Sequence, residues 1–75
     1  MKPETIMGRV FGVSSADINE GTSNRTLEQW DSMAHVTLIL EIEAAYGISL
    51  STEDALVMTD VAAVKRVLTE HGVRW

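Results

Sequence analysis

The sequence predicts an all-α fold: a small four-helix bundle of three main helices and one short helix, with a long loop between the first and second. Three observations predict it. Apolar residues recur at spacings of three and four in three separate segments, the period of one helix face. No segment alternates apolar and polar residues over a strand's length; "ISLS" at residues 48–51 alternates, but it is too short and has no partner. Residue types that start and stop helices stand at the segment boundaries.

The elements follow in order. Residues 3–12 predict a first helix, because Pro3 suits a first turn and the pairs Ile6/Val10 and Met7/Phe11 stand four apart. Gly12 can end it, and Gly8 weakens it. Residues 13–31 form a long connection, with Ser14 and Asp17 spaced as caps of a single turn. So long a loop needs tethers, for which Val13, Ile18, Leu27 and Trp30 are the apolar candidates. Residues 32–46, "SMAHVTLILEIEAAY", are the strongest helix, closed by Gly47. Ser51-x-x-Asp54 is a capping box for a short helix. Thr59 or Asp60 then caps a last helix over "VAAVKRVLTEH", with Val61, Val64, Val67 and Leu68 as its inner stripe and Gly72 as its end.

Seventy-five residues allow one domain, taken as 1–75, with a small core. The absence of cysteine excludes disulfides, thiolate metal sites and cysteine nucleophiles. Eleven acidic against six basic residues give a net charge of −5. That balance argues against nucleic acid and anionic membranes as partners and favours proteins with basic patches. Nothing is apolar for long enough to span a membrane, and the first residues lack the apolar core of a signal peptide. The expectation is a free-standing cytoplasmic monomer.

On a helical wheel, residues 32–46 carry two apolar arcs. Leu38, Ile39, Ile42 and Tyr46 form a core face. Met33, Val36 and Leu40 form a second arc displaced by roughly a third of a turn, with Ser32 and Glu43 between the two. Val36 and Leu40 are expected to pack under the short helix, since small bundles use wide apolar stripes. Met33, at the helix start beside the long loop, is read equally as core edge or as part of a docking face with Val36 and Glu43, methionine being adaptable enough for such a surface.

Ser32, directly behind Asp31 at the start of this helix, has three readings. As a nucleophile it lacks an oxyanion loop and an orienting acid, so catalysis is not expected and the chain is not read as an enzyme. As a cap it is ordinary, since Asp31 and Ser32 are both good residues for a helix start, one would suffice, and most serines at helix starts only cap. As an attachment point it is well placed, because the first turn of a helix has free N–H groups and the positive end of the dipole, both favourable to a phosphate ester.

The stretch "LEQWDSMAHVTLILEIEAAYGISLSTEDALVMTDVAAVKRVL", residues 27–68, resembles the acyl carrier protein family. The resemblance rests on "DSM", on the helix running into "YGI", on "TEDA" and on "MTDVAAV" at these spacings. It implies a phosphopantetheine-binding helical bundle. It implies that Ser32, supported by Asp31, is where a phosphopantetheinyl transferase attaches 4′-phosphopantetheine from coenzyme A. The arm's thiol would hold an acyl or aminoacyl group as a thioester, passed from a loading enzyme to a downstream transferase. The alternative is an unmodified helical interaction module of the same fold.

The departures are informative. Carriers of fatty-acid synthesis place carboxylates soon after the serine, where this chain has Ala34, His35 and Thr37, and Ala44 also replaces a common acid. Exposed charges steer association, so a dedicated pathway of secondary metabolism is expected over general fatty-acid synthesis. Trp30 replaces a small residue and is read as a loop anchor. His35 is read as a boundary histidine hydrogen-bonded near the loop, and His71 as a residue suited to the end of the last helix. Two isolated histidines do not make a metal site. "DINEG" resembles an EF-hand start, but its glycine is one position early and the closing glutamate is missing.

Overall fold

Pro3 opens the first helix because its fixed φ suits the first turn and its missing N–H would have had no partner there. In the computed structural model, which describes residues 1–75, this helix is α1 (Pro3–Phe11). Gly12 ends it at φ 70°, a left-handed conformation that an L side chain rarely adopts. Gly8 has a role its helix propensity does not suggest. The chain folds back after the helix, and a β-carbon on Gly8 would lie 2.8 Å from the carbonyl oxygen of Val13. Glycine is there for that close approach.

The connection is anchored more heavily than its apolar residues suggest. Ser14 caps a single 3₁₀ turn at Ser15–Asp17, accepting from the Ala16 N–H at 3.2 Å. Ile18 and Trp30 are buried, and Val13 and Leu27 pack against the core edge. Thr22 is also buried, its hydroxyl accepting from the Asn19 N–H at 3.0 Å. Around it the backbone of the loop pairs with the chain ahead of the last helix. Val61 donates to Thr22 O and Asn24 to Thr59 O, both at 3.0 Å, flanking an isolated antiparallel bridge between Ser23 and Asp60. Backbone pairing of this kind leaves no side-chain pattern to read.

Three further helices complete the bundle: α2 (Ser32–Tyr46), α3 (Thr52–Val57) and α4 (Val61–Glu70). Gly47 closes α2 at φ 65°. Ser51 and Asp54 form the expected reciprocal capping box at α3. Asp60, not Thr59, caps α4, accepting from the Ala63 N–H at 2.7 Å. No helix is long and apolar enough to cross a membrane.

The core collects Ile6, Met7 and Phe11 from α1, Leu38 and Ile42 from α2, and Val61, Val64, Val67 and Leu68 from α4, with Ile18, Trp30 and Met58 from the connections. α1 packs most extensively on α2. α3 buries no side chain of its own. A charged cluster spans the outside: Lys65 of α4 lies 2.6 Å from Glu4 of α1 and 3.2 Å from Glu20 of the loop. Burial opposes the charge on Glu4, but the hydrogen bond from Lys65 and the charges of Lys65 and Lys2 outweigh it and hold the carboxyl below its usual range.

One expectation is corrected. Val36 and Leu40 do not pack under the short helix; each is 60% exposed. α3 is only six residues long and is tied to α2 where the His35 side chain meets the carbonyl oxygen of Ala55, and it leaves that arc uncovered.

Candidate functional site

The site is assembled by the last residues of the long connection. Trp30 is buried, with its ring 5.0 Å from that of Phe11, and this fixes where the chain enters α2. Asp31 follows in extended conformation, and its Oδ1 accepts from the Ala34 N–H at 2.8 Å. Asp31 is therefore the N-cap, and Ser32 is the first residue of the helix proper.

Ser32 is exposed, and its hydroxyl makes no hydrogen bond within the protein. The first intrahelical bond of α2 runs from His35 N–H to Asp31 O at 2.9 Å. Ala34 N–H is taken by the cap, while the N–H groups of Ser32 and Met33 have no acceptor in the protein. A free hydroxyl thus stands beside two free backbone donors at the positive end of a fifteen-residue helix.

Ser32 also sits on the ridge between two surface depressions. One is polar, lined by Asn24, Trp30, Asp31, Ser32 and His35. The other is largely apolar, lined by Ser32, Met33, Val36 and Thr37. Met33 is 81% exposed. The sequence-derived docking residues are brought together only in part. Met33 and Val36 are exposed along the same side of α2, but Glu43 is half-buried and its Oε2 accepts from the Leu50 N–H at 2.8 Å, tying down the connection to α3.

No protein-family model matches the chain, and no curated protein does. The functional reading therefore rests on this geometry and on the residues that build it.

Two features escaped the sequence reading. The first is the extent of His35's role. The indole N–H of Trp30 donates to His35 Nδ1 at 3.0 Å, with the two rings within 22° of coplanar. On the other side His35 Nε2 lies 2.8 Å from the carbonyl oxygen of Ala55 in α3. A boundary histidine near the loop was expected; a three-segment bridge was not. A helical histidine five residues after a tryptophan was the signal available. The second is the exposed apolar pair Leu56 and Val57 on α3, which continues the chain immediately past the Ala55 contact. Such a pair on a six-residue helix resembles core when read without its surroundings.

The remaining histidine, His71, lies 2.9 Å from Asp54 Oδ2 and joins the end of α4 to the start of α3. The hydrogen bond from His71, with that from the Ser51 N–H, lowers the Asp54 pKa below its ordinary value.

Proposed function

We propose that this chain is a carrier of the acyl carrier protein kind, modified with 4′-phosphopantetheine on Ser32 and passing an acyl or aminoacyl group between partner enzymes. One observation carries the reading: Asp31 alone caps α2, so the hydroxyl of Ser32 is exposed at the helix start and unused by the fold.

The residues present fit the group. The Ser32 hydroxyl is the acceptor for a phosphopantetheinyl transfer in which a bond forms from its oxygen to the pantetheine-side phosphorus. The pyrophosphate bond of coenzyme A breaks, and adenosine 3′,5′-bisphosphate leaves with the electron pair. The hydroxyl proton passes to a base on the transferase. The free N–H groups of Ser32 and Met33 suit the resulting phosphodiester, whose negative charge is favoured at a helix N-terminus. The arm supplies a terminal thiol to hold cargo as a thioester, chemistry that a chain without cysteine lacks. The chain's own part is presentation. Trp30 fixes the loop, Asp31 holds the first turn, and Met33 and Val36 offer an apolar surface for the transferase, the loading enzyme and the downstream transferase. The thin acidic complement beside Ser32 favours a dedicated biosynthetic pathway, since recognition by charge has little to act on there.

The test is the intact mass of the protein after incubation with coenzyme A and a promiscuous phosphopantetheinyl transferase, beside Ser32→Ala. The wild type should gain one phosphopantetheinyl group and Ser32→Ala none. No gain on the wild type, with a control carrier modified in parallel, leaves the unmodified interaction module as the better reading, since the exposed apolar residues of α2 and α3 serve that role equally.

A further inference from the structure

His35 bonds at both ring nitrogens, and the partners differ in kind. The indole N–H of Trp30 can only donate, so Nδ1 of His35 must be an acceptor without a proton. The carbonyl oxygen of Ala55 can only accept, so Nε2 must carry the proton. Both contacts exist together in one state of the ring, the neutral Nε2–H tautomer. Each contact also reaches a different segment. Trp30 belongs to the loop that delivers Asp31 and Ser32, and Ala55 belongs to α3, a helix that buries no side chain.

We propose that His35 is a positioning residue with a single-proton latch, which in its neutral form holds Trp30 and α3 together and on protonation releases Trp30, so that the groove beside Ser32 changes with the protonation state of the ring. A proton from solvent binds Nδ1, where it meets the indole N–H; the Trp30 hydrogen bond breaks while the Nε2–H donation to Ala55 is kept. The groups around the ring define what else acts on this step. Asp31 shares the groove and is engaged as the helix cap. Asp54 precedes Ala55 on α3 and is engaged by His71 of α4 and by the Ser51 N–H. The loop contributes Trp30 and Asn24, neither of which titrates. The link to modification rests on the proposed role of Ser32; the latch itself does not.

Nuclear magnetic resonance of the ¹⁵N-labelled full chain tests it. Long-range ¹H–¹⁵N spectra should show His35 protonated on Nε2 alone near neutral pH. The sample is then acidified until the ring's own ¹⁵N signals report its second proton. Across that step, exchange of the Trp30 indole proton with water should rise roughly tenfold relative to that of the Trp75 indole, the scale of one lost hydrogen bond. The ratio cancels the general slowing of N–H exchange on acidification. The change should share its midpoint with the His35 ring. The indole of Trp75, outside the bridge, serves as internal control. His35→Gln offers one acceptor and one donor without titrating, and should keep the Trp30 signal but abolish its pH response. An Nδ1–H tautomer, or a Trp30 indole indifferent to ring protonation, overturns the proposal. The rate of Ser32 modification, taken as the ratio of wild type to His35→Gln at each pH, should fall with protonation. A ratio constant with pH removes the link to the groove. A chain never modified at any pH defeats the carrier reading, while the spectra still decide the latch.

Discussion

α2 and α4 are both helices rich in apolar residues, yet the fold uses them differently. Every large apolar side chain of α4 is buried: Val61, Val64, Val67 and Leu68 all face the core. α2 buries only Leu38 and Ile42 fully, while Met33, Val36 and Leu40 remain exposed. Folding accounts for the whole apolar pattern of α4. It does not account for that of α2, where three large apolar residues stand in water with no neighbour to cover them. The difference teaches that an apolar residue on a helix is not by itself a core residue. A surplus beside a free serine hydroxyl calls for a role outside stability.

The largest effect should come from α4. Leu68→Ala removes a fully buried side chain and should cost about 2–5 kcal/mol. In a chain this small that is much of the total stability. Chemical denaturation should show a mostly unfolded or strongly shifted protein; a loss under about 1 kcal/mol would erase the distinction between the helices. Next comes the cap of α2. Asp31→Ala leaves the Ala34 N–H without its acceptor and should cost about 1 kcal/mol. Ser32→Ala, whose hydroxyl has no partner to lose, should stay within about 0.5 kcal/mol of wild type. Equal losses would mean that Ser32 shares the capping role.

A third effect concerns how α3 is held. The pKa of Asp54 is lowered in the folded chain, first by the hydrogen bond from His71. A lowered carboxylate contributes stability that is present above its unfolded value and lost as pH falls through the folded one. The tie should therefore persist through mildly acidic pH and fail below the ordinary Asp value of 3.8. Amide exchange in α3, followed down to about pH 2, should rise before that in the centre of α4. Simultaneous loss would show that α3 is not separately held. The smallest stability effect belongs to the exposed arc. Met33→Glu should change stability by no more than about 0.5 kcal/mol and so move the melting temperature little, while slowing the proposed modification of Ser32. A large destabilisation would place Met33 in the core, contrary to its exposure.

Much of this is legible in the sequence. The bounds of α2, the capping box at Ser51 and Asp54, the stripe of α4 and the tethers Ile18 and Trp30 all follow from local rules of period and capping. So did Asp31 and Ser32 as adjacent residues at a helix start. What was not legible lies between segments. Gly8 reads as a weak helix residue until Val13 is seen against it. The bridge between Ser23 and Asp60 uses backbone groups common to every residue. Val36 and Leu40 have the same period whether α3 covers them or not.

The sequence by itself determined which stretches are helical, where most of them start and stop, and which side of α4 is inward. Those choices depend on residues within one or two turns of each other, and such interactions are written in the order of the chain. Only the tertiary structure decided that the second arc of α2 is exposed, that Glu43 is committed to Leu50, and that His35 joins Trp30 to Ala55. Each depends on where a distant segment comes to rest, and that position follows from closing the whole core at once.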